Sequence, residues 1–161
     1  MLGKSVALAI MVAILGVFAF GAMAQPAPLL YGTPISVENA KKVAAGAIAE
    51  IKKNNWFMAV AITDTAGDLV YFEKIDGTQV ASINIAQVKS RCAVQYKRPT
   101  KWFQDALASG STFVLGLPGS IPSEGGIPLV MDGKIVGAIG VSGGSSQQDG
   151  VAAKAGADLI K

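Results

Sequence analysis

The sequence predicts an α+β domain: a mainly antiparallel five-stranded sheet flanked by helices. Three observations predict it. Stretches with apolar residues at helical spacing alternate with short apolar runs of strand length. Two pairs of those runs are joined by tight turns, Asp64-Thr65-Ala66-Gly67 and Asp132-Gly133, which makes the paired strands antiparallel. Regular βαβ alternation is missing, which argues against a doubly wound parallel sheet.

Each element has its own signal. Ser36 is placed to cap the first helix, and Glu38 suits its first turn. Ala40, Val43, Ala44, Ala47, Ile48 and Ile51 then recur at helical spacing, and the small residues among them allow close approach to a sheet. Lys52-Lys53-Asn54-Asn55 ends that helix. Trp56 to Thr63 reads as a buried strand, and Asp68 to Ile75 returns antiparallel to it with one wetter face. Asp76-Gly77-Thr78 is a turn and a helix entry. Val80, Ile83, Val88, Cys92 and Tyr96 mark the second helix, which stops before Pro99 because the residue preceding a proline is pushed out of helical geometry. Thr100 is expected to cap a short third helix through Ala108, closed by Gly110. Phe113 to Leu117 reads as the third strand, followed by a Pro-, Gly- and Ser-rich loop from Pro118 to Gly126. Ile127–Met131 and Lys134–Val141 form a hairpin, because both central positions of a type I′ turn need positive φ and Asp-Gly supplies them. The last helix is expected from about Gln148 to Ile160.

The ends and the composition bound the classes of function. Residues 1–24 read as a targeting segment: Lys4, an apolar run from Val6 to Phe20, and an Ala22-Met23-Ala24 cleavage site. The run is short for a membrane span. The mature chain is therefore expected to start at Gln25, to be periplasmic or secreted, and to keep no membrane segment. Pro26 and Pro28 suggest an extended leader over residues 25–34, with the domain at 35–161. A formal net charge of +3, with Lys4 contributing to it, is too mild for nucleic acid. Charged residues make up only 16% of the chain, which fits surface hidden in a homo-oligomer. The lone Cys92 cannot form an internal disulfide and reads as a small buried hydrophobe.

The chain contains no histidine, which removes the usual general base and the commonest metal ligand. Ser–His and Cys–His nucleophile systems are excluded, and no metal site is expected. Lys89, Arg91, Lys97 and Arg98 form a basic group that is either a solvated helix end or a site for a carboxylate. Glu124, beside Gly125 and Gly126, is the best acid–base candidate; the plainer alternative is a loop carboxylate that bonds backbone N–H groups. Ser142-Gly143-Gly144 and the Glu124 loop expose backbone N–H groups unshielded by side chains, an arrangement suited to holding a ligand. Asp149 suits the entry of the last helix.

Several of these segments also carry a resemblance. Glu124-Gly-Gly-Ile-Pro-Leu-Val130, Gly137-Ala-Ile-Gly-Val-Ser-Gly-Gly144 and Gln148-Asp149-Gly150 through Ala155-Gly156-Ala157 resemble the GlcG/HbpS family, the haem-binding-protein-like group. Asp64-Thr65-Ala66-Gly67-Asp68-Leu69 and Asp76-Gly77-Thr78 resemble its first hairpin and the following turn, with Lys97-Arg98-Pro99-Thr100 between these and the later motifs. The ordered set covers Ile35 to Lys161 and is far more specific than any one piece. Lys89-Ser90 matches a lysine followed by a small residue that is common in the family.

The resemblance implies a profilin-like or PAS-like sandwich and a homo-oligomer, built from dimers up to an octamer. It implies an exported binding protein for a small aromatic or tetrapyrrole ligand, with haem the leading candidate. Lys89, Arg91, Tyr96, Glu124, Gly125, Gly126, Ser142, Gly143 and Gly144 would form its ligand site. Without histidine, a haem-iron ligand would have to come from residues such as Tyr96, Cys92 or Met58. Two alternatives stay open. One is a small-molecule isomerase or lyase using Glu124 or Lys89 for proton transfer; the other is a non-catalytic assembly or accessory protein.

Overall fold

A computed structural model describes residues 28–160. The targeting segment, residues 1–24, and the first residues of the leader lie outside them. The elements follow as β1 (Leu30–Tyr31), α1 (Val37–Lys53), β2 (Ala59–Thr63), β3 (Leu69–Lys74), α2 (Ser82–Gln95), α3 (Lys101–Ala108), a 3-10 turn (Thr112–Gly116), β4 (Gly126–Met131), β5 (Lys134–Ser142) and α4 (Ser146–Ala157).

β5 organises the sheet. β2 runs antiparallel along it from Ala59 opposite Ser142 to Thr63 opposite Ala138, and β3 is antiparallel to β2. β4 lines the other side of β5, from Gly126 opposite Gly140 to Met131 opposite Lys134. The turn joining β4 and β5 has positive φ at both Asp132 (49°) and Gly133 (71°), the backbone that the Asp-Gly pair predicts. β1 pairs in parallel with the start of β5, placing Leu30 opposite Lys134 and Tyr31 opposite Ile135. The sheet is thus five-stranded and mainly antiparallel, with one parallel pair.

The fifth strand is not the expected one. The stretch expected as a strand, Phe113 to Leu117, instead falls in the 3-10 turn Thr112–Gly116 and its extended C-cap, Leu117. Only Val114 of that turn is buried; Phe113 and Leu115 face outward, and the turn rests on α3 through Phe103 and on α2 through Cys92. An apolar run with no neighbouring backbone to pair with gains nothing from extending. The pairing that completes the sheet comes from Leu30 and Tyr31, within the predicted leader.

Helices cover both faces. Val60, Ile62, Ile139 and Val141 meet α1 and α4 in the main core, with Val43, Ala47, Ile51 and Ala153. The opposite face carries Ala59, Ala61, Ala138 and Gly140, and α2 packs on it closely. A Cβ at Gly140 would collide with the Ala86 carbonyl and the Ser90 N–H, so this face is built from small residues because a helix backbone occupies the space. Ser90 Oγ secures the contact, lying 2.7 Å from Thr63 Oγ1 and donating to the Ala138 carbonyl at 2.9 Å. Ser36 caps α1 as expected, accepting from Asn39 N–H. α4 begins two residues before the expected Gln148, with a Ser145–Gln148 capping box. No helix among the described residues is long and apolar enough to cross a membrane.

Candidate functional site

The fold brings both glycine loops to one place, at the N-terminal end of α4. The residues under them differ from a plain rim. Lys89 projects from the buried stripe of α2 and is only 1% exposed. Its ammonium donates to Asp149 Oδ2 at 2.7 Å and to the Glu124 backbone carbonyl at 2.6 Å. Asp149, in the first turn of α4, accepts in turn from Gly144 N–H at 3.0 Å. One buried ion pair therefore ties α2, α4, the Glu124 loop and the Gly144 loop together. Desolvation by burial pushes the Asp149 carboxyl above its ordinary range, opposed by the Lys89 ammonium and the N–H groups of Gly144 and Gly143.

The glycines of the Glu124 loop are packed rather than open, whereas Gly144 is exposed. Gly125 and Gly126 are buried, and Gly125 has a φ of +126° that disfavours a side chain. A Cβ on Gly125 would come within 2.9 Å of Asp149 Cβ and 3.0 Å of Lys89 Nζ. Gly126 makes two hydrogen bonds with Thr100: its N–H donates to Thr100 Oγ1, and its carbonyl accepts from Thr100 N–H, each at 2.9 Å. Thr100 thus uses its hydroxyl on this loop and does not cap α3 through its side chain. Ser142 is buried beside Ser82, with 3.2 Å between the hydroxyl oxygens. Gly143 has a φ of +150° and lies against the Phe57 carbonyl and Met58.

Glu124 is the polar side chain of this group that still faces outward. It is partly exposed, and its carboxylate makes no hydrogen bond or ion pair among the described residues. Its backbone N–H donates to Gln104 Oε1 at 2.9 Å, and its side chain lies across Gly150, where a Cβ would be 2.6 Å from the carboxyl carbon.

The remaining predicted residues are dispersed. Arg91 is exposed on another face of α2 and donates from Nε to the Gly67 carbonyl at 3.0 Å. The Tyr96 hydroxyl donates to the Pro118 carbonyl at 2.6 Å, and its ring meets Phe103 edge to face. Cys92 is fully buried beneath Phe103 and Val114, and burial raises its thiol pKa. Met58 is fully buried in the main core, on the opposite side of the sheet from α2. The three residues that could ligate a haem iron therefore do not converge: two sulfurs are enclosed and the phenol is committed to a carbonyl. No group of three acidic, cysteine or histidine side chains among the described residues could hold a metal ion.

Asp149 stands in the first turn of the last helix, as its sequence position suggests, but its pairing with Lys89 was not anticipated. One signal was available. Lys89 falls three residues after Ala86 and four before Ala93, on the apolar stripe of α2, and a lysine there needs a buried anion.

Comparison with known proteins adds context to this geometry. A family model described as "Haem degrading protein HbpS-like" matches residues 35–158. Protein GlcG of Escherichia coli (strain K12) is 35% identical over 108 residues, covering 67% of this chain and 81% of that protein. A crystal structure of a double mutant of Streptomyces reticuli HbpS superposes with a TM-score of 0.73 at 29% identity, covering 96% of this chain and 99% of that one. A crystal structure of a PduOC:haem complex shares the fold, with a TM-score of 0.72 at 22% identity over 80% of this chain and 96% of that chain.

Proposed function

The chain belongs to the HbpS-like family, and from that premise we propose that it is an exported, oligomeric protein that binds a small aromatic or tetrapyrrole ligand, with haem the leading candidate. The family's description names haem, and the ligand of the PduOC complex is haem. The observation that carries binding over turnover is the Lys89 ammonium, held by Asp149 at 2.7 Å and by the Glu124 carbonyl at 2.6 Å. A lysine so engaged holds the loops in place, with Asp149 and the Glu124 carbonyl as its partners. Together with the absence of histidine, this leaves the loops poor in acid–base groups.

The fit to haem is divided. Exposed Lys and Arg side chains suit the carboxylates of the macrocycle, whereas Tyr96, Cys92 and Met58 present no ready iron ligand. Binding in this reading rests on the periphery of the ring. Export rests on the Lys4 to Ala24 segment. Assembly is supported by large apolar side chains left outside the fold, among them Val80, Phe113 and Leu115.

The test is size-exclusion chromatography of the protein with excess haemin. Haem absorbance co-eluting with an assembly larger than one chain is the expected result. A monomer free of haem overturns both parts.

Glu124 favours a second reading, because its carboxylate is the unpaired acid in the loop cluster. As an isomerase or lyase base it would act alone, with Lys89 confined to holding the loop. Turnover of a small hydroxy acid or diol abolished by Glu124→Gln would support that reading; activity retained in the variant would remove it.

A further inference from the structure

The corner where α2 runs into α3 carries cations and aromatic rings that the glycine loops do not use. Tyr96, Lys97, Arg98 and Trp102, with Pro28 and Leu29 from the incoming chain, line an open cleft of about 430 Å³. The Arg98 guanidinium lies 4.4 Å from the centre of the Trp102 ring, and Lys97 Nζ lies 4.3 Å from that of Tyr31. These are cation–π distances, and they hold both charges in place. The rings are themselves fixed: Trp102 and Tyr96 each meet Phe103 edge to face, at 5.0 and 5.1 Å between centroids. Lys97 also donates to the Leu29 carbonyl at 3.0 Å, and Arg98 donates from Nε to the Tyr96 carbonyl at 3.1 Å.

Those bonds leave the terminal amino groups of Arg98 and two N–H groups of Lys97 without a protein acceptor among the described residues. No carboxylate among those residues lies within ion-pair distance of either cation; the four ion pairs present involve Lys53, Lys89, Lys101 and Lys154. Two unpaired cations, held beside indole and phenol rings and an apolar Pro-Leu wall, make a preorganised receptor for carboxylates carried on a flat aromatic body. The iron-ligand candidates are unsuited to help: Cys92 and Met58 are enclosed, and the Tyr96 hydroxyl is bonded to Pro118.

We infer that this cleft, rather than the glycine loops, is where a planar tetrapyrrole binds, held by its carboxylates at Lys97 and Arg98 and by ring contact with Trp102, and without recognition of the central metal. This rests on the tetrapyrrole reading of the protein and adds to it a place and a ligand rule. Haemin and metal-free protoporphyrin IX should then bind alike, because they share the ring and the carboxylates.

The experiment titrates the protein with each of the two compounds, haemin followed by its Soret band and protoporphyrin IX by its emission. The same titrations are run on Lys97→Asn/Arg98→Gln. Asn is chosen because Lys97 has a φ of +54°, a conformation that Asn tolerates. The parent is expected to bind both compounds with Kd values within about threefold of each other, and the double variant to bind both roughly tenfold more weakly, the loss expected for charge-assisted hydrogen bonds. Haemin binding without protoporphyrin binding overturns the inference and leaves the haem reading standing. Binding of both at parental strength by the double variant overturns the placement alone. Protoporphyrin binding weakened in the variant, with no haemin shift in the parent, supports the placement but overturns the ligand rule and the haem reading. If the parent binds neither, both fall. Should the double variant lose its native circular dichroism, Arg98→Gln alone, at an exposed position, carries the same comparison.

Discussion

Lys89 Nζ and Asp149 Oδ2 lie 2.7 Å apart beneath two glycine loops, with 1% and 4% of the respective side chains exposed. The pair links the middle of α2 to the first turn of α4 across 60 residues of sequence. A buried pair of this kind contributes little against an apolar substitute, but breaking it strands a charge in a site water cannot reach. It specifies where the loops sit more than it stabilises the fold.

Lys89→Met should therefore lower unfolding free energy by about 3–5 kcal/mol, because Asp149 loses its cation while remaining buried. Lys89→Met/Asp149→Leu should recover most of that loss. Chemical denaturation of the parent and these variants checks it. The double variant should also still bind haemin if the ligand sits in the cleft at Lys97 and Arg98, whose lining includes neither Lys89 nor Asp149.

Gly150→Ala should fold with little loss of stability but displace Glu124. The added methyl would meet the end of the Glu124 side chain, which can swing away, and alanine is the better helix former. Gly143→Ala should be worse by about 1–3 kcal/mol, because its φ of +150° is strained for alanine and the added Cβ would run into the Phe57 carbonyl and come within 2.7 Å of Met58 Cα. Thermal denaturation of the two variants gives the order.

Cys92 should be inert to thiol reagents at neutral pH until the protein is unfolded. Burial raises its pKa above the ordinary value of 9.0. The stability gained by keeping the thiol neutral is complete below that ordinary value and is lost as pH rises through the folded value. Above about pH 9 the Tm of the parent should accordingly fall more steeply than that of Cys92→Ala. Parallel slopes would contradict the assignment.

Much of the fold was legible because local chemistry and tertiary structure agree. Ser36 caps α1, Asp64 to Gly67 turns β2 into β3, and Asp132-Gly133 turns β4 into β5. Phe113 to Leu117 misled because an apolar run has no fixed period over five residues, and what decides its state is whether a partner strand is alongside. Leu30 and Tyr31 were missed for the converse reason: two residues become a strand only because β5 offers a free edge. At the site, the residue types were readable and their pairings were not. Glu124, Gly125, Gly126, Gly143 and Gly144 do gather with Lys89, but the sequence could not reveal that Asp149 takes up the lysine's charge. Nor does it bring Arg91 to them, since Arg91 lies on a different face of α2.

Whether this chain holds a tetrapyrrole is read from an absorbance titration of the protein with haemin. A saturable, shifted Soret band at a fixed ratio of haem to chain is expected. A spectrum that stays that of free haemin at every ratio would contradict it.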